Sequence, residues 1–173
     1  MGPVQMTAID IAVVVCDYGG TLTTPEDPVD LVSGCRPVES TAAATLRLLH
    51  QRHLRLMLGS NNSATQNRRL ALRRAGVEHL FTDVLTSEEL GYGKPDPRFY
   101  AAVLNAAACP PEQVLFVGNN YRTDVAAPIS HGMRAVLIRP HGRLIDGEEL
   151  PIDHAQVISF PRLPAFLGER HAR

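Results

Sequence analysis

Five polar side chains stand where an apolar segment has just ended or where a helical pattern is about to begin. Asp17 follows IAVVVC, Ser60 follows LRLMLG, Asn119 follows VLFVG, and Asp124 lies five residues further on. Lys94 lies in the glycine-rich segment GYGKPDP. A carboxylate can act as a nucleophile, a hydroxyl can donate a hydrogen bond, and an ammonium can balance negative charge. Together these residue types predict one polar site.

Lys94 is the only lysine among 17 basic residues, since the other 16 are arginines. A lysine ammonium is a compact point charge on a flexible stem, and it serves a phosphate or a carboxylate differently from the planar guanidinium. Its place in a glycine-rich loop favours a role in binding an anion. The composition alone does not exclude the alternative that Lys94 is an ordinary surface lysine.

The elements that must position these residues alternate between apolar runs of strand length and helical patterns. The predicted strands cover 11–16, 54–59, 81–87, 114–118, 134–138 and, more weakly, 155–159. The predicted helices cover 37–52, 63–76, 96–108, 123–132 and 163–169. This alternation predicts an α/β fold with a single parallel sheet flanked by helices. Because ligands bind beyond the carboxyl ends of parallel strands, the polar side chains are expected on one rim.

Length and composition exclude several classes of protein. A chain of 173 residues most simply forms one domain, 1–173, in which the proline- and glycine-rich segment 23–37 is a long loop. The net charge of −1, without a basic patch, argues against a nucleic-acid partner or an anionic membrane. The longest apolar run, 11–16, is too short to span a bilayer, and no signal peptide is visible. Three cysteines at unrelated spacings favour a reduced, cytoplasmic protein.

Four segments resemble the motifs of the haloacid dehalogenase (HAD) superfamily, and they occur in that family's order. They are VVVCDYGGTL with Asp17, LGSNNS with Ser60, GYGKPDP with Lys94, and GNNYRTD at 118–124. The resemblance spans about residues 9–168 and implies a Rossmann-like core of the HAD type. The short spacings between the motifs leave no room for a cap domain.

The resemblance implies a role for each matching position. Asp17 matches the nucleophile that attacks phosphorus to give an aspartyl-phosphate, and Ser60 matches the hydroxyl that binds a phosphoryl oxygen. Lys94 matches the cation that balances the charge of the nucleophile and the phosphate. The neighbouring residues expected to bind the phosphorylated substrate are Gly20, Thr21, Asn61 and Asn120.

The resemblance also implies a Mg²⁺ ion held by Asp17, the backbone carbonyl of Gly19, Asn119 and Asp124. Two of these positions depart from the family's pattern. Gly19 stands where phosphatases of the family carry a second acid that protonates the leaving group and then activates water. Such general acid–base help is typically worth ~10²–10⁴ in rate. Asn119 stands where an acid usually binds the metal. An amide offers an oxygen ligand but lacks the negative charge of a carboxylate, so Mg²⁺ is expected to bind weakly.

These departures leave three functions open. The first is hydrolysis of phosphomonoesters or acyl phosphates, and the second is non-catalytic binding of a phosphorylated ligand or a protein partner. The third is metal-independent dehalogenation with Asn119 and Asn120 positioning water, which the absence of a cap disfavours. Without a cap the nucleophile is open to water. We therefore expect loop 23–37 to act as a flap, or a macromolecular substrate or a second copy of the chain to close the site.

Overall fold

A six-stranded sheet lies between helices in the computed structural model, which describes residues 10–150 and 156–168. The strands are β1 Val13–Cys16, β2 Arg55–Ser60, β3 Phe81–Thr86, β4 Val114–Gly118, β5 Arg134–Ile138 and β6 Gln156–Ile158. Their order is β3-β2-β1-β4-β5-β6, and every neighbouring pair is parallel. The predicted α/β fold with a single parallel sheet is confirmed.

Helices cover both faces of this sheet. They are α1 Ser40–Gln51, α2 Arg68–Arg74, α3 Ser87–Leu90, α4 Pro97–Ala107, α5 Ala127–Ser130 and α6 Leu163–Gly168. None of the helices in the described residues has the length and hydropathy needed to cross a bilayer. The short helix α3 was not predicted, and the predicted end positions 155 and 169 lie outside the described residues.

Strand β1 shows why an unbroken apolar run predicts a central strand. Val14 and Cys16 belong to the core shared with α1, whereas Val13 and Val15 belong to the core shared with α4. All four side chains are fully buried. Because successive side chains of a strand point to opposite faces, a strand that is covered on both sides is apolar throughout.

Three helices begin two or more residues from where their patterns predicted, and the first of them, predicted at 37–52, begins at Ser40. The helix predicted at 63–76 begins only at Arg68, because the residues before it form a turn. Asn67 caps this helix, and its side-chain oxygen accepts a backbone N–H of the first helical turn at 2.9 Å. The helix predicted at 123–132 begins as a π-helical turn at Tyr121 that runs directly into α5.

No cap domain interrupts the described chain between Asp17 and Lys94. The segment from Asp17 to Ser60 contains a loop, α1 and β2. The segment from Ser60 to Lys94 contains α2, β3 and α3. The carboxyl ends of β1, β2 and β4 are therefore left uncovered by any inserted domain in this part of the chain.

Loop 23–37 is fixed by a bridge within it and by contacts to α2 and its cap. Asp30 and Cys35 pair in a short antiparallel bridge, and the Asp30 carboxylate lies 3.1 Å from Nε of Arg74. The backbone N–H of Asn67 donates to the carbonyl oxygen of Ser33 at 2.8 Å, which ties the loop to the start of α2. Movement of this loop as a flap stays a prediction.

Candidate active site

An ion triplet forms at the carboxyl ends of β1 and β4. Lys94 Nζ donates to Asp17 Oδ1 at 3.1 Å and to Asp124 Oδ1 at 2.7 Å. The side chains of Lys94 and Asp124 are 3% and 0% exposed, whereas that of Asp17 is 13% exposed. Three residues distant in the sequence thus meet on the rim where the strand ends predicted them.

The triplet carries more negative than positive charge. Burial raises the pKa of Asp17 above its usual value; Lys94 opposes this rise, and the nearby carboxylate of Asp124 adds to it. Burial alone would lower the pKa of Lys94, but the two carboxylates outweigh it and hold that pKa above its ordinary value. Lys94 therefore stays protonated at neutral pH, and the site favours a further cation or proton.

The triplet lines an open cleft of about 260 Å³, which we call the reaction cleft. Its walls include every predicted site residue except Gly20 and Thr21. Gly20 has a φ of +72°, and its N–H donates to Thr23 Oγ1 at 3.1 Å. The buried hydroxyl of Thr21 has no hydrogen-bond partner among the described residues. Contact of these two residues with a substrate stays a prediction.

Asn61 holds the backbone of Lys94 in place. Its Nδ2 donates to the Lys94 carbonyl oxygen at 2.9 Å, and its Oδ1 accepts from the Lys94 N–H at 2.8 Å. A Cβ at Gly93 would lie 2.6 Å from Asn61 Oδ1, so only glycine leaves room for this pairing. Both ends of the Asn61 amide thus bond to the Lys94 backbone, and Asn61 positions Lys94. The sequence did not predict this role. The predicted contact with substrate stays a prediction.

Asp124 is held by the turn that follows β4. The Asn120 N–H donates to Asp124 Oδ2 at 3.0 Å, and Asn120 Oδ1 accepts from the Thr123 N–H at 3.2 Å. A Cβ at Gly118 would lie 2.3 Å from Asp124 Cγ, so glycine is required there as well. Both oxygens of Asp124 accept from protein donors. Among the described residues, Oδ2 accepts only the Asn120 N–H and keeps a second lone pair, so service as a Mg²⁺ ligand stays a prediction.

The side-chain amide of Asn119 decides whether a cation fits beside Asp17. One end of it lies 3.0 Å from the Gly19 carbonyl oxygen and 3.2 Å from Asp17 Oδ2. With the amide oxygen at that end, three acceptors meet and a cation between them is favoured. With the nitrogen there, the amide donates two hydrogen bonds and closes the site itself.

These oxygen donors suit Mg²⁺, which prefers carboxylate and carbonyl ligands. The described residues hold no group of three or more His, Cys, Asp or Glu side chains arranged to bind a metal. A Mg²⁺ ion would therefore rest on carboxylates together with the Asn119 amide and the Gly19 carbonyl. The residues present fit Mg²⁺, and the second orientation of the amide competes with it. Binding of the ion stays a prediction.

Gly19 leaves the place of a second acid open. A Cβ added there would meet no atom within 4 Å, and the φ of Gly19 lies outside the left-handed region. Asp17 and Asp124 are the only acidic residues among the described residues that line the reaction cleft. The described side chains that line the reaction cleft therefore include the ammonium of Lys94, but no acid besides Asp17 and Asp124.

Arg68, which no sequence pattern singled out, is buried beside Ser60. Its side chain donates from Nε to Ser60 Oγ at 3.1 Å and from Nη2 to the Asn61 carbonyl oxygen at 3.0 Å. Its guanidinium carbon lies 4.4 Å from the ring centroid of Tyr18. Arg68 directly follows the capping Asn67, but this position alone does not mark the side chain as buried.

A family model for haloacid dehalogenase-like hydrolases matches residues 29–132 of this chain. The chain belongs to the haloacid dehalogenase-like hydrolases. A HAD-superfamily hydrolase from Ehrlichia chaffeensis superposes with a TM-score of 0.72 at 14% identity, over 92% of this chain and 97% of that one. A likeness at this identity supports the HAD fold alone.

Two curated phosphatases are similar to this HAD-like chain. Glyceraldehyde 3-phosphate phosphatase of Methanothermobacter thermautotrophicus is 35% identical over 103 residues, which cover 60% of this chain and 45% of that protein. Phosphoserine phosphatase of Thermus thermophilus is 37% identical over 115 residues, which cover 66% of this chain and 46% of that protein. The chain spans about half the length of these relatives. The predicted superfamily is confirmed, whereas the roles of individual residues stay predictions.

Proposed function

We propose that this HAD-like hydrolase is a phosphatase that uses Asp17 as its nucleophile. The observation that carries the proposal is the placement of Asp17 at the carboxyl end of β1, in the open reaction cleft and 3.1 Å from Lys94 Nζ. A carboxylate that is held by an ammonium and still reaches a cleft can attack an entering phosphoryl group. The phosphatase names of two curated relatives support the same reaction class.

The proposed reaction has two steps. A carboxylate oxygen of Asp17 bonds to phosphorus, while the bond from phosphorus to the leaving-group oxygen breaks and that oxygen takes the electron pair. A water oxygen then bonds to phosphorus, the bond to Asp17 breaks, and the protons of the water pass to phosphate and solvent. Lys94 balances negative charge throughout. The Ser60 hydroxyl, which donates to the Asn61 carbonyl oxygen at 3.1 Å, would turn to donate to a phosphoryl oxygen. Bound Mg²⁺ would supply further positive charge to the phosphoryl oxygens.

The glycine at position 19 favours certain leaving groups. No acid stands there to protonate the departing oxygen, so an alkoxide would leave slowly. A carboxylate or a phenolate is stable without a proton and leaves far more readily. We therefore propose acyl phosphates and aryl phosphates as the substrates turned over best, with simple alkyl phosphates well behind them.

Turnover of acetyl phosphate and p-nitrophenyl phosphate, with Mg²⁺ and with a chelator, tests the proposal. Wild-type protein should release phosphate faster than the Asp17→Asn variant, and acid quenching should trap a phosphate linked to Asp17. Equal rates for the two proteins would refute the proposal, because the amide cannot form the aspartyl-phosphate.

A non-catalytic phosphate-binding protein is the second candidate, and the orientation of Asn119 that closes the metal position favours it. Such a protein would bind inorganic phosphate or a phosphonate and show no turnover of either test substrate. If the wild-type protein binds inorganic phosphate or a phosphonate but turns over neither test substrate, the second candidate replaces the first proposal.

A further inference from the structure

A second and larger cleft adjoins the reaction cleft. It has a volume of about 570 Å³, and we call it the side cleft. Gly19, Arg68 and Asn119 line both clefts, so the two spaces meet beside the nucleophile. Loop 23–37 forms one wall of the side cleft, the end of β5 contributes Ile138, and the segment after β5 contributes Ile145.

The charged residues that line the side cleft are all arginines. Arg36, Arg68 and Arg139 belong to its walls, and no Asp or Glu of the described residues does. Arg139 is neutralised by Glu148, whose Oε2 lies 3.0 Å from the arginine Nε. Neither Arg36 nor Arg68 forms an ion pair with a carboxylate within the part of the chain that the structure describes.

Arg68 is the unusual member of this group, because it is buried and its partners are uncharged. They are the Ser60 hydroxyl, the Asn61 carbonyl oxygen, the ring of Tyr18, Cys35 Sγ at 3.2 Å from Nη1, and Gln66 Oε1 at 3.5 Å from Nη2. A charge removed from water without an opposite charge is costly. Such a guanidinium is prepared for an anion that arrives with a ligand, since its planar fork matches carboxylate and phosphate oxygens.

We propose that the side cleft binds the leaving group of the substrate and that Arg68 recognises a second anionic group on it. The ligand class is an organic phosphate that carries, beyond its reacting phosphoryl group, a carboxylate or a second phosphate. Arg36, on loop 23–37, supports Arg68 from the rim. The inference rests on the proposed function, because the phosphoryl group must lie at Asp17.

Gly19 connects this proposal with the missing acid. The residue lines both clefts, and its absent side chain leaves open space where a Cβ would stand. A substrate can therefore extend from Asp17 across Gly19 towards Arg68. Apolar side chains, among them Val29, Ile138 and Ile145, line the same cleft and can pack against the organic part of the ligand.

Calorimetric titration with phosphonates, which are not hydrolysed, tests the side cleft without requiring turnover. The probes are simple alkylphosphonates, phosphonoacetate with its longer ω-carboxyalkyl homologues, and the matching ω-phosphonoalkylphosphonates. Chain length serves as a ruler between the two sites, and the last two series distinguish a carboxylate from a second phosphate. The variants are Arg68→Gln, Arg68→Lys and Arg36→Gln. Arg73→Gln removes the same charge from an exposed position on α2 outside both clefts.

We expect one doubly anionic series, at its best chain length, to bind wild-type protein about tenfold or more tightly than the alkylphosphonate of equal length. Arg68→Gln should abolish most of this preference, Arg68→Lys should retain part of it, and Arg73→Gln should leave it unchanged. Arg36→Gln should reduce it, and this variant decides the matter if Arg68→Gln fails to fold.

Two results would overturn the inference. Wild-type protein without any preference for the doubly anionic probes would show that no second anion is recognised. Equal weakening of all series by Arg68→Gln would mean that the arginine acts only through Ser60 on the phosphoryl group. Turnover of acetyl phosphate without the preference would refute this inference alone. The preference without turnover would refute the phosphatase and retain the side cleft as a binding site.

Discussion

Replacing Gly19 by Asp should supply the acid that the reaction cleft lacks. A Cβ at this position meets no atom within 4 Å, and the backbone there needs no positive φ, so the first atom of a new side chain fits without strain. The carboxylates of Asp17 and Asp124 would raise the pKa of the introduced acid, which increases the fraction of it that is protonated and able to donate.

The size of the gain follows from the chemistry of proton donation. General acid–base help is typically worth ~10²–10⁴ in rate, or about 2.7–5.4 kcal/mol of barrier at about 1.36 kcal/mol per tenfold change. Gly19→Asp should therefore accelerate hydrolysis of an alkyl phosphate such as ethyl phosphate by a factor in this range. The kcat/KM for acetyl phosphate should change little, because it reports formation of the aspartyl-phosphate and this leaving group needs no proton.

The assay compares phosphate release from ethyl phosphate and acetyl phosphate by wild-type protein and two variants. Gly19→Asn is the matched control, since it has the size of aspartate without its acid. The ratio of the two rates should rise in the Asp variant and stay near wild type in the Asn variant. Equal ratios in all three proteins would refute the reasoning that leaving-group protonation is the missing step.

Three further changes test the charge balance around Asp17. Asn119→Asp should tighten Mg²⁺ binding by about tenfold or more, which is about 1.4 kcal/mol, and a calorimetric affinity equal to that of wild type would contradict this expectation. Lys94→Arg should weaken binding of inorganic phosphate nearly as much as Lys94→Ala, because the fork is too bulky for the buried point-charge position; full retention of binding would show that any cation suffices. Asp17→Asn should raise the melting temperature in chelator at pH 7, by roughly 2–4 °C for each kcal/mol gained. Because the folded-state pKa of Asp17 is raised, the wild type loses stability as pH rises from about 3.9 through that pKa, so the two melting curves should converge in acid. A variant that melts below wild type at neutral pH would contradict this sign.

The fold and the rim of the site follow from local patterns. Runs such as VVVC and VLFVG are apolar throughout because both faces of a parallel strand are covered, and each ends where the chain leaves the core. Polar residues at those ends converge, since the carboxyl ends of parallel strands lie on one side of the sheet. For this reason Asp17, Lys94 and Asp124 could be placed together from the sequence before their distances were known.

Only the tertiary structure decided which other polar groups serve the site. The helix α2 carries Arg68, Arg69, Arg73 and Arg74, and its sequence does not distinguish among them. Arg68 alone among these four is buried, because its place at the start of the helix turns it towards Tyr18 and Ser60, whereas the others reach solvent. The pairing of Asn61 with the Lys94 backbone is likewise a meeting of residues 33 positions apart. Such contacts depend on how the helices, strands and loops pack against one another, and local sequence patterns do not determine that packing.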